Sequence, residues 1–509
     1  MSVLPKGTSP GRRLFLGGAA ATVGLLALRR IRSVAAQPPA VTSPEDLKRI
    51  EAAIPAKAFV TPRKPRRLLI FDLNVGYGGH GSIATANTAF TLMGVRTGAF
   101  ETVVSRDPAV FESDSLKHFD AVFFNNTVGN CFDDPTLRQN LAEFVYSGGG
   151  LMGVHGTSVA FTKWPGAIED WPEFGLMIGA RGANHRAPDE HVFIKLDDPT
   201  HPVNQVFGGQ GFDYRDEFFR VHEPYSRDRV RVLLSIDTEK TDLQQGPGYG
   251  KLERADNDFA LAWVRGYGRG RVFYCGFAHN PYVFWDPKML QFYLAATQFA
   301  LGDLPAPTTP SARLTPAVRA QEQLGWRVCL TPAPSAGLTL FESIEKAAEL
   351  GVLYIGACNR QKVSRDIPKD FDDQLTGKER EQIRLKLDSA GVRLLTYRTD
   401  PFPSDPTEQR KVFDFARRMG ASMSVSDDEQ LRMDPSLRES APLDKAAIET
   451  MEAMEKEGRS PLDKVFRRGP DNPIAIHVEL TDGGVDSMAK AAQHIQLVNN
   501  TALRMATGG

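Results

Sequence analysis

Histidine is the residue type of this 509-residue chain whose positions most suggest chemistry. Eight of the ten histidines precede residue 280, and four of these follow apolar runs or lie in glycine-containing loops. The four are His80, His155, His185 and His279. Imidazole gains and loses a proton near neutral pH, which suits it to general acid and base catalysis. We therefore expect any active site to belong to the first large domain of the chain.

The strongest local pattern is the turn at His155. Residues 148–154 are apolar and glycine-rich, as expected for a buried strand, and Gly156 follows His155 directly. A strand that ends in such a turn holds one side chain out at the carboxyl edge of a parallel sheet, where open α/β folds place their sites. An acyl-transfer enzyme would carry Ser or Cys at this tip. His155 therefore indicates acid/base or ligand chemistry instead of covalent acyl transfer.

Other polar residues lie in loops after the predicted strands, and these loops should meet at the same edge of the sheet. The residues predicted to be catalytic are His155, His279, His185 and Glu217. The residues predicted to bind substrate are His80, Asn125, Asn126, Asp216 and Trp285. The sequence leaves a structural use open for each of them, because such side chains also cap helices, close turns and pack in cores.

A divalent metal ion is an alternative use of the same residues, since zinc and related ions take imidazole and carboxylate ligands. The chain contains no HxH or HExxH spacing that would support this alternative locally. The loop from Gly76 to Gly81 also lacks the lysine of a phosphate-binding loop. The sequence therefore establishes no cofactor and leaves a divalent metal open.

An alternation of strands and helices must position these side chains. Between residues 67 and 303, short apolar runs alternate with helical segments, which predicts βαβ units. The expected fold is α/β, with a doubly wound, mostly parallel sheet that helices cover on both faces. Residues 190–237 are expected to form hairpins, and a helix at about 288–301 to close the domain.

Composition limits the kinds of partner that the protein is expected to bind. The 61 basic and 62 acidic residues give a formal charge of −1, so no global field attracts nucleic acid, and we predict no nucleic-acid partner. The four cysteines lie far apart and form no CxxC motif. We expect them to be small buried residues.

Two segments precede the first domain. Residues 1–36 contain Arg12-Arg13 before an apolar run and resemble a twin-arginine export signal. This predicts a periplasmic or extracellular protein that touches a membrane only through the signal, if the signal stays uncleaved. Residues 37–66 are expected to form a lead-in arm, with a helix at 44–53 capped by Ser43.

Two further segments follow the first domain. Residues 304–325 are rich in proline and small residues, which predicts a linker. In residues 326–509, helices that end at glycine alternate with short strands, as in a (β/α) barrel. A closed eightfold barrel needs about 250 residues, so we expect an incomplete TIM-barrel-like α/β region.

Three ordered motifs in residues 67–303 carry a family resemblance: Phe124–Thr127, Gly148–His155 and Arg271–His279. Through them this domain resembles the ThuA-like (trehalose utilisation) family. The resemblance implies a flavodoxin-like sheet of the class I glutamine amidotransferase type, in which His155 replaces the nucleophilic cysteine. It also implies sugar metabolism on glucosides or keto-glucosides, and no glutamine amidotransferase activity.

The carboxyl-terminal region resembles the xylose-isomerase-like sugar isomerase and epimerase family in residues 338–344 and 386–394. Members of that family place a metal-binding Glu where this chain has Asp427-Asp428, and the match fades after Ser426. The resemblance therefore implies a degenerate region without isomerase activity.

These expectations combine into one predicted function. The chain is expected to be an exported carbohydrate-metabolism enzyme, a hydrolase or lyase that uses histidine acid/base chemistry on a small-molecule glucoside or keto-glucoside. The alternative is a non-catalytic sugar-binding or scaffolding protein, in which aromatic side chains hold the glycan. Those aromatic side chains are Tyr77, Trp164 and Trp285.

Overall fold

A nine-stranded sheet is the centre of residues 67–303. The computed structural model describes residues 42–243, 254, 256–423, 440–442 and 473–507. The strands up to residue 275 are β1 (Arg67–Phe71), β2 (Glu101–Ser105), β3 (Ala121–Asn125), β4 (Gly150–Val154), β5 (Thr162–Lys163), β6 (Ile168–Glu169), β7 (Arg181–Asn184), β8 (Glu190–Leu196), β9 (Phe212–Asp216), β10 (Arg220–His222), β11 (Arg231–Ile236), β12 (Ala260–Tyr267) and β13 (Gly270–Cys275).

The sheet combines a parallel half with an antiparallel half. Its strand order is β2-β1-β3-β4-β13-β12-β11-β8-β9. The five strands from β2 to β13 pair in parallel, and the four remaining strands add to β13 in antiparallel pairs. The α/β prediction is thus confirmed, and so is the prediction of hairpins in residues 190–237. Strands β5 and β6, and β7 and β10, form two small separate ladders.

Both faces of the sheet are buried, because the side chains of each strand alternate between two apolar clusters. In β1, Leu69 and Phe71 enter one cluster, and Leu68 and Ile70 enter the other. The helices of this region are α1 (Pro44–Ala53), α2 (Ile83–Thr97), α3 (Ser113–Leu116), α4 (Pro135–Tyr146), α5 (Pro172–Ile178) and α6 (Pro287–Leu301). Helices α4 and α5 pack on the first face, and α2 and α6 on the second. This is the doubly wound arrangement that the sequence predicted.

The predicted lead-in helix is α1. The Ser43 hydroxyl accepts a hydrogen bond from the Asp46 N–H at 3.1 Å, and Pro44 occupies the first turn. None of the helices among the described residues is long and apolar enough to cross a membrane. The predicted export signal, residues 1–36, lies outside the described residues.

A second sheet follows in the carboxyl-terminal region. Its strands are β14 (Trp326–Pro332), β15 (Tyr354–Cys358), β16 (Arg393–Arg398), β17 (Ser422–Met423), β18 (Ser440–Pro442) and β19 (Ile474–Leu480). They pair in parallel in the order β17-β16-β15-β14-β19-β18. The two end strands do not pair with each other, so the described part of this region is an open parallel α/β sheet, and its relation to an incomplete TIM barrel stays a prediction. The Asp427-Asp428 pair lies outside the described residues.

Helices flank this second sheet and extend into the predicted linker. They are α7 (Pro316–Leu324), α8 (Leu340–Glu349), α9 (Gly377–Ser389), α10 (Pro406–Arg418) and α11 (Val485–Thr507). Helix α7 forms within the proline-rich segment 304–325, because Thr315 caps it and Pro316 suits its first turn. Its Gln321 side chain donates to Asn499 Oδ1 at 2.6 Å, which attaches this segment to α11.

Buried ion pairs join the second region to the first. Arg384 in α9 donates to Glu173 Oε1 in α5 at 2.8 Å, and the Tyr267 hydroxyl donates to the same oxygen at 2.7 Å. The Arg384 and Glu173 side chains are only 1% and 5% exposed. Arg380, one turn earlier, pairs with Glu143 of α4 at 2.6 Å. Charges this deeply buried must stay paired, so α9 is held in register on α4 and α5.

Replacing Arg384→Met is therefore expected to lower the free energy of unfolding by about 3–5 kcal/mol, because it leaves the Glu173 carboxylate buried beside a single hydroxyl donor. Urea unfolding monitored by circular dichroism measures the change. Lys378→Met, on the exposed face of the same helix, removes the same charge and should cost less than about 1 kcal/mol. Equal losses in the two variants would contradict a stabilising role for the pair.

The buried His201 contacts segment 304–325, and we expect this contact to be sensitive to acid. His201 Nδ1 accepts from the Val203 N–H at 3.3 Å, and its Nε2–H donates to the Pro307 carbonyl at 3.1 Å. Burial, with a contribution from Arg231, lowers the pKa of His201 to about 4. Because the unfolded chain has the higher pKa, near 6.5, it takes up the proton first as the pH falls, and stability is lost between about pH 6.5 and pH 4.

The expected loss from this one group is about 2 kcal/mol between pH 6.5 and pH 5. It is measured as the difference in pH dependence of unfolding between the wild type and His201→Asn, since asparagine keeps a capping oxygen but does not titrate. Parallel pH profiles of the two proteins would show that His201 is not the acid-sensitive group.

Candidate active site

The turn after β4 lies at the carboxyl edge of the parallel strands, where the sequence placed it. Residues His155–Val159 form a 3-10 turn, and His155 has a φ of 39°, a left-handed conformation that is costly for a side chain other than glycine. Two hydrogen bonds hold it: Thr157 Oγ1 donates to the Phe124 carbonyl at 2.8 Å, and the Tyr274 hydroxyl donates to the His155 carbonyl at 2.8 Å. The strained elbow is thus present with histidine at its tip.

Glu217, immediately after β9, is the centre of a histidine cluster. Its Oε1 lies 3.4 Å from His155 Nε2. Its Oε2 lies 3.2 Å from His185 Nδ1 and 3.6 Å from His279 Nε2. All four residues predicted to be catalytic therefore come together, although they lie in four separate parts of the sequence.

His80 completes the cluster from the loop before α2. Its ring centroid lies 4.9 Å from that of His155 and 5.4 Å from that of His279. On its other side, the Tyr77 ring centroid lies 5.1 Å from that of His80, and the Trp164 ring centroid lies 5.4 Å from that of Tyr77. His80 was predicted to bind substrate, and the structure places it against the catalytic set.

Burial and the single carboxylate set the charge state of the cluster. Burial lowers the pKa of His80 to about 2 and also lowers the pKa of His155, although Glu217 opposes the second shift. Burial acts to lower the pKa of His185, but its contacts with Glu217 and with the Arg186 carbonyl outweigh this and raise it. Burial alone would raise the pKa of Glu217, but His155 and His185 hold it well below its usual range. At neutral pH the site therefore contains an ionised Glu217 with His80 and His155 as neutral lone-pair donors.

Asp216 holds the backbone of the loop that carries His279. Its carboxylate is fully buried and accepts hydrogen bonds from the backbone N–H groups of Ala278, His279 and Asn280 and from the Asn280 side chain, at 2.7–3.3 Å. Burial raises its pKa to about 7, and hydrogen bonds from the Asn280 side chain and from the backbone N–H groups of Asn280, Glu217 and Ala278 act in the opposite direction. Its observed contacts position the His279 loop, and the predicted substrate binding by Asp216 stays a prediction.

The two asparagines after β3 also have their amides engaged by backbone. Asn126, with a φ of 53°, donates to the Ala278 carbonyl at 3.1 Å and accepts from the Gly156 N–H at 3.1 Å. It therefore ties the His155 turn to the His279 loop. Asn125 donates to the Ile83 carbonyl at 3.0 Å and so anchors the start of α2. These contacts are positioning contacts, and direct substrate binding by either amide stays a prediction.

Trp285 has a different neighbour. Its ring centroid lies 5.2 Å from the Arg49 guanidinium carbon of α1, and the ring packs against the apolar cluster that contains α6. The role of Trp285 in sugar binding stays a prediction.

Phe219, which the sequence analysis missed, lies against the histidine cluster. Its ring centroid lies 4.8 Å from that of His155 and 5.2 Å from that of His185. Its position two residues after Glu217 is the signal that could have found it, because alternate residues of an extended chain share a face.

The arrangement supports two kinds of chemistry. Imidazoles around an ionised carboxylate can move protons to and from a bound molecule. One donor atom each from His80, His155, His279 and Glu217 also lies within 4.8 Å of the others, which is compatible with a metal ion. His185 lies outside this set of four.

Fold and site together define a doubly wound α/β protein whose elbow carries histidine in place of a nucleophile. Residues 67–300 match the family model described as ThuA: Trehalose utilisation. Residues 67–300 are therefore similar to this family, in agreement with the resemblance noted in the sequence. The match does not extend to the second sheet, and the predicted xylose-isomerase-like relationship stays a prediction.

Solved structures with this fold have low sequence identity. A putative ThuA-like protein from Bacteroides uniformis is 19% identical over 47% of this chain and 93% of its own, with a TM-score of 0.39. One from Parabacteroides merdae is 17% identical over 47% and 92%, with a TM-score of 0.34. A beta-galactosidase from Bacillus circulans is 12% identical over 52% of this chain and 34% of its own, with a TM-score of 0.30. No curated protein matches the chain.

The role of Asp216 is testable by a near-isosteric change. Asp216→Asn is expected to lower the free energy of unfolding by about 1–3 kcal/mol. The reason is that the amide nitrogen of the new asparagine would face a backbone N–H that donates to the carboxylate in the wild type. Urea unfolding measures the loss. Asp213→Asn, on the exposed side of the same strand, is the matched control and should be within about 0.5 kcal/mol of wild type. A neutral Asp216→Asn change would contradict the positioning role.

Proposed function

We propose that the protein is a carbohydrate-acting enzyme, a hydrolase or lyase that transfers protons at the His155–Glu217 cluster. The observation that carries the proposal is the convergence of His155, His185 and His279 within 3.6 Å of one carboxylate. Neutral imidazole is a base, and imidazolium an acid, of suitable strength near pH 7. The family match of residues 67–300 supports a sugar as the substrate class.

A keto-glucoside is the substrate best suited to proton transfer by this cluster. A ketone at C3 of a glucoside acidifies the proton on C2, so an imidazole can remove it. The C1–O bond then breaks, its electron pair leaves with the alcohol oxygen, and a second group protonates that oxygen. The product is a C1–C2 unsaturated ketone, and addition of water to it completes a net hydrolysis.

Export is part of this proposal. Residues 1–36 resemble a twin-arginine signal, which would place the reaction in the periplasm or outside the cell. Small sugars that enter from the environment are available there. A fusion of residues 1–36 to a reporter that is active only after export tests this part independently of catalysis.

A non-catalytic sugar-binding protein is the second candidate. It is favoured by the half-buried aromatic pair of Tyr77 and Trp164, whose ring centroids are 5.4 Å apart beside His80. Aromatic faces hold the apolar side of sugar rings in many binding proteins, and this pair is the nearest such surface to the cluster. Binding of a sugar without its conversion would favour this candidate.

Proton transfer by the cluster predicts a large and specific loss of turnover. The full-length protein is incubated with trehalose, methyl glucoside and their 3-keto derivatives, and products are followed by NMR. His155→Gln is expected to lower turnover by about 100-fold or more. His191→Gln, an exposed histidine paired with Asp213, is the matched control and should retain wild-type turnover. Undiminished turnover in a folded His155→Gln protein would contradict a role for His155 in the reaction.

A further inference from the structure

We propose that His80, His155, His279 and Glu217 bind one divalent first-row transition-metal ion. One donor atom of each lies within 4.8 Å of the other three. Donors around a tetrahedral ion with bonds of about 2.1 Å lie about 3.4 Å apart. His155 Nε2 and Glu217 Oε1 already have this 3.4 Å separation, and His279 Nε2 and Glu217 Oε2 are 3.6 Å apart. The inference rests on the proposed function and names the cofactor of the same site.

Unpaired nitrogen atoms point to a cation. His80 Nδ1, His155 Nε2 and His279 Nδ1 are buried and have no hydrogen-bond partner among the described residues. Buried polar atoms in proteins are nearly always paired, since leaving one unpaired costs about 1–3 kcal/mol. Two of these atoms, His80 Nδ1 and His155 Nε2, belong to rings whose centroids are 4.9 Å apart, and a shared ligand explains them better than two independent losses.

The orientation of His155 is that of a metal ligand. Its Nδ1 lies 3.3 Å from the Gly276 carbonyl, which can only accept a hydrogen bond; with the ring proton on Nδ1, the Nε2 lone pair is directed at Glu217. A carbonyl acceptor behind a ligating imidazole is the usual way in which proteins fix the tautomer and the ring angle. Asn126 and Asp216 hold the two loops that carry His155 and His279, so these donors are pre-positioned.

A metal-free hydrogen-bonded network is the competing explanation. Good N–H···O bonds are about 2.7–3.2 Å long, whereas the separations of Glu217 from His155 and His279 are 3.4 and 3.6 Å. Such a network would also need a proton on each nitrogen that faces the carboxylate, and a neutral His155 with its proton on Nε2 would leave the Gly276 carbonyl without a proton from Nδ1. The geometry therefore favours lone pairs that share a cation.

The donor set also selects the kind of ion. Three imidazoles suit zinc, copper, iron or nickel, while magnesium, calcium and manganese prefer oxygen donors. A single carboxylate leaves the bound dication with a net charge of about +1, which suits an ion that polarises a sugar carbonyl or hydroxyl oxygen. His185, outside the ligand set, stays available for proton transfer.

Metal titration of the full-length protein tests the proposal. After dialysis against a chelator, the protein is titrated with Co²⁺, and binding is followed by calorimetry and by the visible absorption of the ion. We expect one ion per chain, and more than about 100-fold weaker binding in Glu217→Gln and His279→Gln. His191→Gln should bind as the wild type does. Unchanged affinity in folded Glu217→Gln and His279→Gln proteins would overturn the proposal.

A second measurement needs no variant and so does not depend on how the variants fold. Pulsed electron paramagnetic resonance of the wild-type protein loaded with one equivalent of Cu²⁺ is expected to show couplings from histidine nitrogens. A bound ion without nitrogen couplings, or no bound ion, would overturn the metal site.

These outcomes are distinguishable from failure of the proposed function. Sugar turnover that persists in the metal-free protein would overturn the cofactor and leave the proposed reaction standing. One tightly bound ion without turnover of any sugar in the panel would support the metal site and count against the proposed reaction.

Discussion

The buried Asp216 carboxylate is the interaction on which the site depends. It lies at the end of β9 and accepts hydrogen bonds from three consecutive backbone N–H groups of the loop after β13. Because successive side chains of an extended chain point in opposite directions, the next residue, Glu217, projects into the histidine cluster. One dipeptide thus fixes the loop that carries His279 and supplies the carboxylate that His279 faces. Without this junction between the antiparallel and parallel halves of the sheet, the cluster would lose its centre.

The second constraint is the strained turn at His155. A left-handed φ is retained at a non-glycine residue only where the surroundings determine the backbone, and here Thr157, Tyr274 and Asn126 do so. In α/β enzymes this turn exposes a nucleophile. In this chain it directs the His155 imidazole into a cluster with Glu217 and three other histidines.

The second sheet contributes to stability away from this edge. Its docking on α4 and α5 relies on charge pairs, Arg384 with Glu173 and Arg380 with Glu143, embedded in an apolar cluster shared by both regions. Asp388 of α9 adds pairs with Arg229 and Arg265. Buried pairs of this kind specify one docking geometry, because any shift leaves a charge without its partner. Among the described residues, the histidine–carboxylate cluster belongs entirely to the first region.

Much of the first region could be predicted from local patterns. The apolar runs and their spacing predicted the doubly wound sheet, and the Ser43 cap predicted helix α1, because both depend on residues close in sequence. The rule that loops after parallel strands converge also selected His80, His155, His185, His279 and Glu217. It did not distinguish them from Asp216, Asn125 and Asn126, because amides and carboxylates that hold a backbone are the same residue types as those that bind a ligand. The extent of the second sheet was also beyond prediction, since parallel pairing joins strands far apart in the chain.

The turn at residues 148–158 also shows the difference between what the sequence determines and what only the structure decides. The sequence by itself determined that a histidine stands at the tip of a strand-to-helix elbow, because glycine spacing and apolar pattern are local properties. Only the tertiary structure decided which side chains surround it. The 3.4 Å approach of His155 to Glu217 joins residues 62 positions apart, and no periodicity in the chain encodes that distance. It arises from strand order, from the buried hydrogen bonds of Asp216, and from the meeting of four loops at one edge of the sheet.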